Sequence, residues 1–175
     1  RMDFEAVRKH TPKVTFVAAR VGVSWSYKDP QFDYYWEEMA RIKTNRMAYF
    51  VPYFGESALT QMDFCFKALE GKTDWKYDRL ALDLEVAGIN PRERITATTL
   101  KCLDIVTGMY PVIFTRANWM NTYVDTSVLP KLHYWLAQYK APRIYPLYTP
   151  EHPGPPDLPK GADTWLIHQT GDKCK

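Results

Sequence analysis

One short stretch, residues 79–85, constrains the fold of this chain more than any other. It reads Arg-Leu-Ala-Leu-Asp-Leu-Glu, so three leucines alternate with smaller or polar residues. This period-two alternation predicts a β-strand on which Asp83 and Glu85 share one face, about 6.6 Å apart along the strand. Two carboxyl groups placed side by side raise each other's pKa, and burial raises both further. The stretch predicts an acid/base pair, with the alternative that both acids are solvated strand-end residues or partners for a neighbouring arginine.

Strands and helices alternate along most of the chain. We predict strands at residues 14–19, 47–51, 79–85, 111–114, 133–138 and 164–169, and helices at residues 3–10, 31–43, 57–70 and 91–107. The alternation is typical of parallel strands joined by right-handed crossovers, so we predict one α/β domain over residues 1–175. Active sites of such folds lie at the carboxyl ends of the strands, which is where Asp83 and Glu85 fall.

The composition excludes several classes of function. The chain has 23 Lys and Arg against 20 Asp and Glu residues, and the basic residues are scattered rather than clustered. A nucleic-acid-binding surface needs a basic stripe, so we expect no nucleic-acid partner. No apolar run approaches the roughly 20 residues of a membrane span, and no signal peptide is visible. Mild basicity suits an anionic polymer such as a bacterial cell wall.

The three cysteines do not form a metal or redox motif. Cys65 and Cys102 fall in predicted helices and are expected to be buried thiols, whereas Cys174 is free to pair with a group outside this chain. We expect neither a metal nor a cofactor. Residues 141–161 hold seven prolines and predict a stiff excursion, placed as a lid or rim.

Several further motifs follow one another in a fixed order. Residues 16–22 read FVAARVG, residues 29–32 read DPQF, residues 48–51 read AYFV, residues 82–85 read LDLE and residues 135–139 read WLAQY. In this order and spacing they resemble glycoside hydrolase family 25, the N-acetylmuramidase lysozymes. The resemblance implies an irregular (β/α) TIM-like barrel that cleaves the β-1,4 bond between N-acetylmuramic acid and N-acetylglucosamine in peptidoglycan. It also implies an extracellular, wall-directed protein, either secreted or associated with a phage.

The resemblance assigns roles to the acidic pair. Glu85 is expected to be the general acid/base, and Asp83 is expected to orient the substrate's 2-acetamido group in retaining, substrate-assisted hydrolysis. Six further residues at or near strand ends are expected to contact the glycan: Arg20, Tyr49, Tyr53, Trp119, Gln138 and Tyr139. Packing is the alternative role for each of the aromatic residues, and an ion pair within the barrel mouth is the alternative for Arg20.

The chain departs from the family pattern in two ways. Phe50 stands where the family has a histidine, and His168 stands where it has a tryptophan. In addition, the family's first and last strands, each with an active-site aspartate, have no counterpart here. We therefore expect a barrel of about six strands, incomplete at both ends and part of a longer protein. A partner or flanking domain is expected along the open edge, and little activity is expected from these 175 residues alone.

Two other functions remain open from the sequence. One is a non-catalytic glycan-binding or structural module on the same fold, which the departures from the family pattern favour. The other is a chitinase-like hydrolase, because those barrels also carry D-x-E on a middle strand. Chitinases have further acidic residues upstream on that strand, whereas this chain has Arg79 and Ala81.

Overall fold

The structure is a computed structural model that describes residues 2–139 and 154–171. Its strands are β1 (Phe16–Val23), β2 (Tyr27–Lys28), β3 (Asn45–Val51), β4 (Arg79–Asp83), β5 (Val112–Thr115), β6 (His133–Ala137) and β7 (Ile167–Gln169). Its helices are α1 (Phe4–Lys9), α2 (Phe32–Arg41), α3 (Ala58–Leu69), α4 (Arg92–Val106) and α5 (Ala117–Tyr123).

All seven strands form one sheet in the order β2-β1-β3-β4-β5-β6-β7. Only β2 runs antiparallel to its neighbour, and the other six strands are parallel. The predicted α/β fold with six parallel strands is confirmed. The short strand β2 was missed, and so was the extension of β1 to Val23. Both belong to one hairpin, in which Gly22 and Val23 pair with β2.

Capping residues explain where the helices begin. The side chain of Asp3 accepts hydrogen bonds of 3.0 Å from the backbone N–H groups of Glu5 and Ala6 at the start of α1. Ser57 caps α3 in the same way. Helix α4 begins at Arg92, one residue later than predicted, because Pro91 occupies the N-cap position, and no side chain caps it. The side chain of Asn90 instead donates to the carbonyl of Ala87 and closes the preceding turn.

The two faces of the sheet pack into two different hydrophobic cores. Fully buried leucine, isoleucine and phenylalanine side chains on one face join the main core together with residues of α2, α3 and α4. Cys65 and Cys102 lie in this core, as predicted. On the other face, Met47, Ala81 and Val112 form a small second core. Because neighbouring side chains on a strand alternate, Asp83 follows Ala81 on this second face.

The sheet is open among the residues that the structure describes. Its edge strands are β2 and β7, and no described strand connects β7 back to β1. An incomplete barrel was expected, and the partner expected along the open edge stays a prediction. Cys174 and residues 140–153 of the proline-rich stretch lie outside the described part of the chain. No helix within residues 2–139 and 154–171 is long and apolar enough to cross a membrane.

The hairpin of β1 and β2 requires glycine at position 22. A Cβ atom there would lie 2.2 Å from the backbone oxygen of Tyr27, which is far inside van der Waals contact. We expect Gly22→Ala to lower the free energy of unfolding by about 1–3 kcal/mol, because the two strands must separate. Urea denaturation measures this change.

Gly108→Ala is the matched control. Nothing lies within 4 Å of a Cβ atom at this position. Because alanine also reduces the freedom of the unfolded chain, this variant should be neutral or slightly stabilised. Equal stability losses in the two variants would show that the close approach to Tyr27 is not the cause.

Candidate active site

Asp83 and Glu85 lie together in a cleft of about 600 Å³. β4 ends at Asp83, but the chain continues alongside β5. The N–H of Leu84 donates to the carbonyl of Phe114 (2.9 Å), and the hydroxyl of Thr115 donates to the carbonyl of Leu84 (2.7 Å). These two bonds keep residue 84 extended, so Glu85 reaches the same cleft as Asp83. The shared cleft at the carboxyl ends of parallel strands agrees with the prediction from spacing.

The cleft has mainly apolar and aromatic walls. Its lining includes Phe16, Ala18, Tyr49, Phe114, Trp135 and Gln169. Tyr49 was among the expected substrate contacts, and it neighbours β4 through its pairing with Ala81. Aromatic walls with a few polar groups are typical of sites that bind a ligand largely through stacking and orient it through hydrogen bonds.

Asp83 is the most deeply buried polar group of the cleft. Only 7% of the residue is exposed, and its Oδ1 atom has no hydrogen-bond partner among the described residues. Burial, and after it the neighbouring charge of Glu85, raise the pKa of Asp83 to about 7, against the smaller opposing effects of Arg20 and Arg116. The carboxyl group therefore changes its charge near neutral pH and offers an unused acceptor.

A second polar atom of the cleft wall is also without a partner. The indole nitrogen of Trp135 is buried, and none of the residues described here accepts its hydrogen. Buried donors and acceptors are nearly always paired in folded proteins, because leaving one unpaired costs about 1–3 kcal/mol. The residues that line this cleft therefore include a buried acceptor, Asp83 Oδ1, and a buried donor, Trp135 Nε1, without partners among the described residues.

Arg116 lies next to Glu85, with Nη2 3.7 Å from Oε2. Sequence reasoning missed this residue, although its position was predictable from strand register. Asp83 pairs with Phe114 across β4 and β5, so the same register places Glu85 opposite Arg116. The distance exceeds that of a hydrogen bond, and the contact is therefore electrostatic.

A second cavity of about 380 Å³ is lined by Arg116, whose guanidinium lies 3.7 Å from Glu85 of the cleft. Its polar lining consists of Arg116, Asn118, Gln138, Tyr139 and Asp157. Gln138 and Tyr139, both expected to contact substrate, thus lie beside the Asp83 cleft rather than in it. The amide of Gln138 donates to Asp157 at 2.6 Å and accepts from the N–H of Asp157 at 2.8 Å. These bonds attach residue 157 to the end of β6.

The other expected contacts line neither cavity. Arg20 forms an ion pair of 2.9 Å with Asp29. An ion pair was the alternative role that the sequence analysis gave to Arg20. Trp119 packs against Phe54 and Tyr123, and Tyr53 is nearly half exposed beyond the end of β3. A role in substrate binding stays a prediction for Arg20, Tyr53 and Trp119.

The two departures from the family motifs lie on the face of the sheet opposite to Asp83. Phe50 pairs with Leu82 and is fully buried in the main core. His168 pairs with Leu136, and its Nε2 lies 3.0 Å from the carbonyl oxygen of Gln138. Both substitutions therefore affect packing rather than the cleft. Among the described residues, no group of three or more His, Cys, Asp and Glu side chains is placed to hold a metal ion.

The raised pKa of Asp83 predicts how stability depends on pH. The unfolded carboxyl group ionises near pH 3.9, so between about pH 4 and pH 7 the folded state binds more protons. The contribution of Asp83 to the free energy of unfolding is therefore fully present below about pH 4 and is lost as the pH rises to about 7. In the unmodified protein, the free energy of unfolding should fall by up to about 4 kcal/mol over this pH range because of Asp83, and in Asp83→Asn this fall should be absent. Urea denaturation from pH 4 to pH 8 measures the difference.

Asp163→Asn is the control for this experiment, because the Asp163 side chain is 78% exposed. Its stability should follow that of the unmodified protein across the whole pH range. A pH dependence that persists unchanged in Asp83→Asn would contradict the assignment.

Comparison with proteins of known structure agrees with the fold. A family 25 lysozyme from Aspergillus fumigatus is 22% identical, with a TM-score of 0.80 over 99% of this chain and 83% of that chain. A muramidase from Acremonium alcalophilum is 18% identical, with a TM-score of 0.79 over 99% and 83%. A bacterial lysozyme from Streptomyces coelicolor is 18% identical, with a TM-score of 0.78 over 98% and 79%.

Sequence comparison identifies the family. None of the curated proteins compared with this chain matches it significantly. The sequence model of the glycosyl hydrolases family 25, however, matches residues 1–172. Because this match spans nearly the whole of the 175 residues, the chain belongs to glycosyl hydrolases family 25 and is a glycoside hydrolase.

Proposed function

We propose that this chain hydrolyses peptidoglycan at the β-1,4 bond between N-acetylmuramic acid and N-acetylglucosamine. Its family and its structural similarity to lysozymes and muramidases support this substrate class. The proposed site of action is a cell wall, reached from outside the cell or by a phage-associated protein. Glu85 is the proposed general acid/base, and Asp83 is the proposed partner of the substrate's acetamido group.

A single observation carries the proposal: the buried, unpartnered carboxyl oxygen of Asp83, in one cleft with Glu85. N-acetylated sugars carry an amide N–H beside the bond that is cleaved. An N–H donated to Asp83 Oδ1 would remove the cost of a buried acceptor without a partner, about 1–3 kcal/mol. This pairing also selects a substrate with an acetamido group over a plain sugar.

The chemistry of Asp83 follows from its charge. In substrate-assisted cleavage the acetamido oxygen attacks the anomeric carbon as the glycosidic bond breaks, and the ring that forms carries a positive charge. An ionised Asp83 stabilises this charge in a site with little water, where electrostatic interactions are strong. Because the pKa of Asp83 is about 7 in the free protein, the arriving N–H and positive charge favour loss of its proton.

Glu85 completes the reaction as proton donor and acceptor. Its carboxyl group is about one-third exposed and is held by no contact closer than the 3.7 Å pair with Arg116 among the described residues. It is therefore free to meet the leaving oxygen of the sugar. It protonates that oxygen, and its carboxylate then takes a proton from the water that opens the ring intermediate.

Tyr49, together with Trp135, is the proposed sugar-stacking wall of this cleft. Tyr49 is half-buried between Arg20 and Ala81 across the strands. Trp135 contributes the second face and its unpartnered N–H. Stacking on aromatic rings and one added hydrogen bond suit a sugar ring, which has apolar faces and polar edges.

We expect Glu85→Gln to reduce hydrolysis by at least about 100-fold, because the amide packs alike but cannot supply a proton. The measurement is the release of new reducing ends from purified peptidoglycan, with identification of the sugar at those ends after borohydride reduction. Reduced N-acetylmuramic acid is expected. Glu38→Gln is the control, since Glu38 is paired with Arg41 on α2, outside the cleft.

Each other outcome has a definite meaning. Reduced N-acetylglucosamine at the new ends would assign the opposite bond. Unimpaired hydrolysis by Glu85→Gln would exclude its role as the acid. Wall binding without hydrolysis by the unmodified protein would identify the chain as a glycan-binding module.

Asp83→Asn tests the proposed acetamido partner. We expect kcat to fall by roughly 100-fold with a much smaller change in KM, because the lost charge acts mainly on the transition state. Steady-state kinetics on a soluble glycan fragment separates the two constants. An increase in KM with an unchanged kcat would assign Asp83 to substrate binding alone.

A further inference from the structure

We propose that the cavity beside the catalytic cleft binds the peptide stem of the wall substrate, with Arg116 contacting a stem carboxylate. The inference rests on the proposed function, since only peptidoglycan carries such stems. It concerns a different ligand group, however, because the stem is a peptide and the cleft is proposed to hold sugar rings.

The position of the cavity is the first observation. Arg116 lines the cavity, and its guanidinium lies 3.7 Å from Glu85, which lines the cleft. The cavity lies at the carboxyl ends of β5 and β6, where Arg116 and Gln138 directly follow the strands. A group attached to a sugar at Glu85 and directed away from Asp83 would therefore enter it.

The hydrogen-bonding state of the lining is the second observation. Several acceptor atoms here already have partners, because Asn118 Oδ1 accepts from the N–H of Trp119 and Asp157 Oδ2 accepts from Gln138. The hydroxyl of Tyr139 accepts from the side chain of Gln169 at 2.9 Å. The Arg116 guanidinium, by contrast, donates no hydrogen bond to any residue in the described part of the chain. Arg116 thus offers N–H donors without partners among the described residues, and they fit a ligand that carries acceptors.

The charge of Arg116 further limits the chemical class of the ligand. The Arg116 side chain is 56% exposed and presents a planar fork that matches a carboxylate. Among the described residues, Glu85 and Asp157 are negative groups near it, but neither accepts a hydrogen bond from Arg116. A carboxylate ligand would therefore find unused N–H donors on Arg116. The peptide stem supplies carboxylates close to the muramic acid ring.

The experiment compares two substrates that differ only in stem charge. One is a tetrasaccharide of alternating N-acetylglucosamine and N-acetylmuramic acid whose stems have free carboxyl groups. The other is the same compound with each stem carboxyl converted to its amide. We expect the unmodified protein to prefer the charged compound by about two- to fivefold in kcat/KM, the range of a partly exposed ion pair.

Arg116→Gln should reduce this preference to about one, and Arg116→Lys should retain part of it, because lysine keeps the charge but loses the fork. Removal of the cation also changes the surroundings of Glu85. That effect applies equally to both substrates and cancels in their ratio. Arg8→Gln is the matched control, since the Arg8 side chain is 53% exposed and paired with Glu5 at 2.9 Å, and it should keep the full preference.

A preference that survives in Arg116→Gln, or an unmodified protein with no preference, would overturn the inference. Hydrolysis of neither compound would contradict the proposed function instead. In that case, calorimetric dissociation constants of the two compounds decide the inference, with tighter binding of the charged compound in the unmodified protein alone supporting it. Equal affinities would reject it.

Discussion

Both faces of β4 are covered by other parts of the protein, and the candidate site depends on this. Leu80 and Leu82 are fully buried in the main core on one face, while Ala81 is fully buried against Met47 and Val112 on the other. Asp83 follows Ala81 on this second face, on which Arg79 lies at the start of the strand. Asp83 has lost most of its contact with water, and no described residue donates a hydrogen bond to its Oδ1 atom; this burial, together with the charge of Glu85, raises its pKa to about 7.

Parallel register arranges the charges around this buried acid. Glu85 lies two residues beyond Asp83 on the same face, and Arg116 takes the equivalent position beyond Phe114 on β5. The result is a row of groups across the strand ends: a buried acid, a partly exposed acid and an exposed guanidinium. The row extends from Asp83 in the aromatic cleft to Arg116 in the polar cavity. This order matches a substrate with sugar rings at one end and a charged substituent at the other.

Most of the fold was predictable from local sequence patterns. The six parallel strands follow from period-two alternation and the helices from their apolar spacing, because both patterns reflect burial on one face. The errors have local causes. β2 has only two residues, too few for any periodicity, and the cap of α4 depends on a turn in which Asn90 bonds to Ala87. The placement of Phe50 and His168 on the packing face needed the observed register.

The sequence by itself determined that Asp83 and Glu85 share one face of a central strand, because side chains on a strand alternate and the leucines between them require burial. It also determined the family, through the order of its motifs. Only the tertiary structure decided which expected residues accompany this pair. Tyr49 joins it, Gln138 and Tyr139 lie in the adjoining cavity, and Arg20 pairs with Asp29. Which residues lie near Asp83 and Glu85 depends on the distances between strands and on bonds between residues far apart in the sequence. No local sequence pattern predicts these.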